Sequence, residues 1–286
     1  MSEKLLRIGE LSRRVGVSVE LLRAWERRYG LLAPERTRGG FRLYGDEDVG
    51  RVLQMRANLD RGFAAAEAAR LVVADGSGLT ETTLADVSAA LAAALESFDD
   101  AAAQAAFDRL LSAFTVDVML EEALLPYLRE LGDRWQRGEV SVAQEHFASN
   151  LVRSRLVALS RGWDRGEGPR ALLACVEREQ HDLPLVAFGL LLRSHGWRIC
   201  YLGASTPIAS VIQTAQALEP SVVVLSGTVT GVFDELAPRK LREVGRIAPL
   251  YLAGAAADET LARAARASHL GDDLVAAARV LRPRRA

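Results

Sequence analysis

The sequence predicts a multidomain protein of α and α/β parts. These are a winged helix-turn-helix, a four-helix bundle and a doubly wound parallel sheet of the flavodoxin-like kind. Three observations predict it. The first seventy or so residues are basic and helical, broken once at Arg38-Gly39-Gly40. The stretch 79–163 holds Pro126 as its one proline and spaces its apolar residues at helical period. From Pro169 onward short apolar runs alternate with helical segments, the pattern of buried parallel strands with crossover helices.

Composition bounds the rest. A chain of 286 residues has room for two or three compact domains. Its apolar content is mostly Ala, Leu and Val, with only 6% aromatic residues, as in helix-rich proteins. No apolar run is long enough to cross a bilayer and the N-terminus lacks a signal-peptide pattern, so a cytoplasmic protein without membrane contact is expected. Cys175 and Cys200 fall in strand-like apolar runs and read as buried, inert thiols. Residues 1–44 hold ten Lys and Arg against five Asp and Glu; the whole chain is at −1, so +5 here leaves −6 for the remainder. That asymmetry is expected where one domain meets nucleic-acid phosphates.

In chain order, Arg7–Ser18 reads as helix, tight turn and the start of a second helix. Ile8, Leu11 and Val15 form an apolar stripe, Gly16 permits the turn and Ser18 caps the second helix. That helix, Val19–Tyr29, presents Arg23, Arg27 and Arg28 outward, while Leu21, Leu22 and Trp25 are expected to pack inward. Arg36, Arg38, the glycine pair and Phe41-Arg42-Leu43-Tyr44 then read as a two-stranded wing. This stretch resembles the MerR family, and Arg23-Ala24-Trp25-Glu26-Arg27-Arg28-Tyr29-Gly30 is similar to the form found in its CarA, CarH and LitR branch. Double-stranded promoter DNA is the implied partner. Arg23 is expected nearest the bases and Arg13, Arg14, Arg36, Arg38 and Arg42 at phosphates, with Ser18, Arg27 and Tyr44 completing the DNA-facing set.

Asp75-Gly76-Ser77-Gly78 reads as a linker, which places the first domain at 1–75, the bundle at 79–165 and the α/β domain at 169–286. Bundle helices are expected near 80–97, 99–114, 116–137 and 141–162. Strands are expected at Leu172–Val176, Ile199–Leu202, Val222–Leu225 and Leu250–Ala253, with ligands at their carboxyl ends.

After the first strand, Glu179-Gln180-His181 offers an imidazole in a polar loop with a carboxylate to hold its other nitrogen. The arrangement resembles the cobalamin-binding domains shared with methionine synthase and the mutases. The resemblance implies His181 as lower axial ligand to cobalt, and Ser226, Thr228 and Gly254 around the nucleotide tail. Pro184, Thr228 and Ala253 depart from that pattern, standing for glycine, leucine and glycine. Trp135, Glu145 and His146 resemble the constellation that encloses the upper face of adenosylcobalamin in CarH-type photoreceptors, in some of which a histidine stands where this chain has Gln136. The implied protein is a non-enzymatic, light-sensing repressor, homo-oligomeric as a dimer or tetramer. Two other readings stay open: a MerR-type regulator whose altered pocket is cobalamin-independent or senses another small molecule, and a corrinoid methyl carrier.

Overall fold

A computed structural model describes residues 5–37, 39–73, 83–234, 236–271, 273–281 and 283. The expected linker at 75–78, and Arg38 of the wing, lie outside the described residues. The chain divides into two compact units, Met1–Glu130 and Leu131–Ala286.

The first unit opens with α1 (Ile8–Val15) and α2 (Val19–Tyr29), then β1 (Glu35–Arg36) and β2 (Arg42–Leu43), paired antiparallel. Gly16 ends α1 at φ 67°, and Ser18 Oγ accepts the Leu21 N–H 3.2 Å away, so both turn residues act locally as their types dictate. Leu22 and Trp25 are buried, but Leu21 is exposed, which corrects its expected inward packing. The reason is angular: Leu22 and Trp25 sit three residues apart on one stripe, and a helix this short buries only one stripe.

α3 (Asp46–Asp60) and α4 (Ala65–Val73) come next, then α5 (Leu84–Glu96) and α6 (Asp100–Ala113), which pack on one another. Asp99 caps α6 through its side chain, at the start expected for that helix. The turn before α4 docks onto the end of α6: Phe63 and Phe114 rings lie 4.8 Å apart and the Ala64 N–H donates to Ala113 O at 2.6 Å. Gly62 makes this possible, because at φ +84° a Cβ would lie 2.2 Å from Val118 Cγ2.

The expected third bundle helix is present but irregular. α7 (Val116–Val118) passes through a π-helical turn, Met119–Leu124, into α8 (Leu125–Gln136). Pro126 supplies the cause. It has no N–H for the carbonyl four residues back and its ring crowds that carbonyl, and widening the preceding turn relieves both.

The second unit contains α9 (Val142–Leu159), opened by a Ser141/Gln144 capping box, and then the sheet. The strands are β3 (Arg170–Cys175), β4 (Arg198–Tyr201), β5 (Val222–Ser226), β6 (Leu250–Ala253) and β7 (Ser268–His269). All neighbours are parallel and the order is β4-β3-β5-β6-β7, the flavodoxin-like order. β7 is an addition to the four strands expected. It is two residues long and carries no apolar run, so periodicity cannot reveal it; His269 sits in this edge strand, mostly covered.

The helices between strands are α10 (Leu183–Ser194), α11 (Ile208–Leu218), α12 (Pro238–Gly245), α13 (Glu259–Ala265) and α14 (Leu274–Val280). α10 contacts β3, β4, α9 and α14, which is why nearly every side chain from Leu185 to Leu192 is buried. A second apolar cluster joins Leu172, Val223, Leu225 and Leu252 to Val211, Leu241, Val244 and Ala262 of α11–α13. Both cysteines are free thiols in this sheet, and burial pushes Cys175 up to about 12, as expected for an inert residue.

Candidate functional site

In a sheet of this order, β3 and β5 are the adjacent strands whose crossovers leave in opposite directions, and a crevice opens at their carboxyl ends. The loop after β3 carries Glu179 and His181 into that position. Arg178 precedes them in left-handed conformation, φ 70°, with its N–H donated to Ser205 Oγ at 3.0 Å. Ser205 is also left-handed and donates its N–H to Glu179 O at 2.8 Å. Two non-glycine residues at positive φ, each holding the other's loop, mark a locally strained and over-determined segment.

Glu179 is fully buried. Its Oε1 accepts the His181 N–H at 2.7 Å and lies 2.8 Å from His181 Nδ1. Its Oε2 accepts the Thr228 N–H and, at 2.8 Å, the Val229 N–H from the loop after β5. Burial alone would push this carboxyl up; the backbone donors of Val229, His181 and Thr228, with the His181 side chain, outweigh it and hold the group below the usual carboxylate range. The anion is therefore built in. The imidazole it holds is 64% exposed, so its Nε2 is the nitrogen left for an external ligand. An imidazole held through Nδ1 by a buried carboxylate, with Nε2 outward, is the donor chemistry that suits a cobalt centre.

The neighbouring positions are more varied. Ser226 ends β5, buried, with its carbonyl accepting the Val176 N–H. Thr228 is half-buried and contributes its N–H to Glu179. Gly254 has φ +87°, and a Cβ there would lie 2.4 Å from the Gly227 carbonyl oxygen. Its need for glycine thus arises from a neighbouring backbone, where the sequence pointed to a ligand. Pro184 sits in the first turn of α10, where its missing N–H costs nothing.

Trp135 closes α8 and is 46% exposed, so it is not an ordinary core tryptophan. Glu145 and His146 lie in the first turns of α9. Glu145 is half-buried and accepts the Ser149 hydroxyl at 2.6 Å, and His146 Nε2 stands 3.7 Å from Glu145 Oε2.

Sequence reasoning missed one cluster. Asp182, next to His181, is buried and accepts both arms of Arg153 from α9 (2.8 and 2.6 Å) and the Tyr201 hydroxyl from the end of β4 (2.7 Å). No spacing rule joins positions 153, 182 and 201; the one local signal was an Asp at a helix start.

In the N-terminal region Arg13, Arg14, Arg23, Arg27, Arg36 and Arg42 are all exposed. Arg13 Nε donates to Gly9 O at 3.3 Å, and Arg14 pairs with Asp46 at 2.9 Å. Arg42 lies 3.0 Å from Glu26, which links the wing to α2. Tyr44, expected on the DNA-facing set, is fully buried and donates its hydroxyl to Glu26 at 2.9 Å. It is a core residue of the wing, because its bridge to Leu6 turns the ring inward. Ser18 serves the helix cap.

Residues 6–74 match the family described as MerR HTH family regulatory protein, and residues 87–160 and 169–280 each match a B12 binding domain. The chain is 35% identical over 273 residues to the HTH-type transcriptional repressor CarH of Myxococcus xanthus, covering 90% of this chain and 91% of that one. It is 34% identical over 231 residues to the repressor CarA of the same organism, covering 77% and 76%. The monomethylamine corrinoid protein of Methanosarcina barkeri shares the fold, with a TM-score of 0.56 at 16% identity over 66% of this chain and 94% of that one. Its likeness is one of architecture alone; CarH and CarA, which this chain matches over most of its length, are transcriptional repressors. This chain belongs to the MerR-type transcription regulators of the CarH and CarA kind, with a DNA-binding region followed by two cobalamin-binding ones.

Proposed function

We propose that this chain is a cytoplasmic repressor whose hold on promoter DNA is set by adenosylcobalamin and, through it, by light. The observation that carries the reading is the buried Glu179 carboxylate aligning an exposed His181 at the β3/β5 switch point. His181 Nε2 would hold the cobalt of the bound cofactor, with Glu179 accepting the Nδ1 N–H and raising the basicity of the ring. Trp135, Glu145 and His146 would enclose the adenosyl group, and Ser226, Thr228 and Gly254 would line the nucleotide tail. The bound cofactor supplies a cobalt–carbon bond that light can break. Arg13, Arg14, Arg23, Arg27, Arg36, Arg38 and Arg42 meet DNA, with Arg23 nearest the bases. Assembly into a dimer or tetramer sets affinity for paired half-sites, and the ligand shifts that assembly only by binding one state better than the other.

The test is direct. Protein incubated in the dark with adenosylcobalamin and passed through gel filtration should keep the corrin absorbance. Its complex with promoter DNA should dissociate on illumination. Absence of retained corrin would give the pocket to another ligand, the reading that Pro184 favours. Retained corrin with equal DNA binding in dark and light would remove the light coupling.

A further inference from the structure

Asp182 is the N-cap residue of α10, a position where an Asp side chain ordinarily accepts an N–H of its own helix; here it makes no such bond. Its carboxylate instead faces Arg153 bidentately and Tyr201. Tyr201 is itself set by Trp163, whose ring meets it edge-on at 5.9 Å and 80°. Gly189 leaves room for that indole: a Cβ there would lie 2.7 Å from Trp163 Cη2. Asp182 thus gives up its local partner for a tertiary one.

Arg153 also belongs to a particular stripe of α9. Glu145, Ser149 and Arg153 succeed one another four residues apart and share a face, and the first two are hydrogen-bonded. One helix face therefore carries Glu145 near its start and the Arg153 grip on the histidine loop two turns on.

We propose that Arg153, Asp182 and Tyr201 form a latch that positions His181, tying the loop of the metal ligand to α9. The inference rests on the reading of His181 as the lower ligand. Glu179 fixes the ring's tautomer and tilt from one side; the latch fixes the backbone that bears it from the other. A bidentate guanidinium–carboxylate pair holds orientation as well as distance, which a single hydrogen bond does not. His181 and Asp182 are consecutive, so a displacement of the carboxylate is passed to the imidazole with little loss. Metal ligation tolerates errors of only about 0.2 Å. Asp182 is buried but the Arg153 side chain is 47% exposed, and a half-exposed ion pair of this kind adds little net stability, which leaves position as what the pair supplies. Because the same helix face bears Glu145, movement of α9 at the cap pulls on His181.

The test uses the full-length protein loaded with cob(II)alamin. The readout is the doublet splitting that a histidine nitrogen labelled with nitrogen-15 gives in its paramagnetic resonance spectrum, which reports imidazole of the protein, not the cofactor's own benzimidazole, on cobalt, with the dissociation constant for aquocobalamin measured in parallel. Arg153→Met together with Asp182→Asn removes both charges at similar volume and leaves an oxygen to accept the Tyr201 hydroxyl. This variant should keep the thermal midpoint of the parent, lose most of the nitrogen splitting, and bind cobalamin more weakly by on the order of 10–100-fold. Arg153→Lys, which keeps the charge but not the fork, should fall between the two. Full splitting and unchanged affinity in the double variant overturn the latch. If the double variant does not fold, Tyr201→Phe and Arg153→Lys decide, and unchanged splitting and affinity in both overturn it. His181→Ala separates the two readings. Splitting that survives His181→Ala refutes the ligand assignment itself. Splitting lost there but intact in the latch variants refutes only the latch.

Discussion

Glu179 Oε1 lies 2.8 Å from His181 Nδ1, and the same carboxylate, through its other oxygen, gathers two backbone N–H groups from the loop after β5. One buried anion thus joins the carboxyl ends of two strands and presents an imidazole above them. Glu179→Gln keeps the shape but turns one end into a donor, which must face either the Thr228 and Val229 N–H groups or the His181 N–H. The expected outcome is a protein that folds less stably, by about 1–3 kcal/mol, and retains cobalamin more weakly than the parent. Retention equal to the parent, measured by gel filtration of the loaded protein, would show that the carboxylate does not tune the ring.

Pro184 supports α10 and stands where the cobalamin-binding pattern has glycine. Pro184→Gly should therefore pull stability and ligand affinity in opposite directions. The ligand-free protein should lose about 0.4–1 kcal/mol through greater freedom of the unfolded chain, while affinity for cobalamin should rise. A fall in both quantities would mean that the proline is itself part of the ligand surface.

Gly62 faces Val118 at a distance that no Cβ tolerates. Gly62→Ala should destabilise the first unit by about 1–3 kcal/mol. Adding Val118→Ala should recover part of that loss, the remainder being the cost of a positive φ. A double variant no more stable than Gly62→Ala alone would place the whole effect in the backbone.

Burial, and after it the hydrogen bond to Glu26, pushes the Tyr44 hydroxyl up to about 12. Because its folded value lies above its unfolded value of about 10, its stabilisation is complete below the unfolded value. It is lost as pH rises from there through the folded one. Tyr44→Phe should remove this alkaline loss and cost about 0.5–1.5 kcal/mol near neutrality. A spectrophotometric titration in which all tyrosines ionise together near the ordinary value would contradict the buried bond.

Illumination tests Gln136. An amide is a far poorer cobalt ligand than imidazole, so the illuminated, loaded protein should show water or a weak ligand on the upper face and lose cobalamin faster than in the dark. A stable spectrum with histidine on both faces that disappears in His146→Ala would assign the upper position to His146. The same spectrum surviving that substitution would mean that Trp135, Glu145 and His146 do not cover that face.

Much of this protein is determined by neighbours along the chain. Helices show as apolar stripes, buried strands as short apolar runs, and caps such as Ser18, Asp99 and Ser141 as side chains that find their partners within three residues. The pairing of Glu179 with His181 was legible for the same reason, being two residues apart. What only the tertiary structure decided is where local preference was overruled by a distant partner. Tyr44 turns inward to Glu26. Gly254 is required by the Gly227 carbonyl. Asp182 leaves its own helix for Arg153 and Tyr201. β7 is a strand because β6 offers it a ladder. In each case the deciding energy is a hydrogen bond or a steric contact between residues far apart in sequence, and no periodicity along the chain encodes such a pairing.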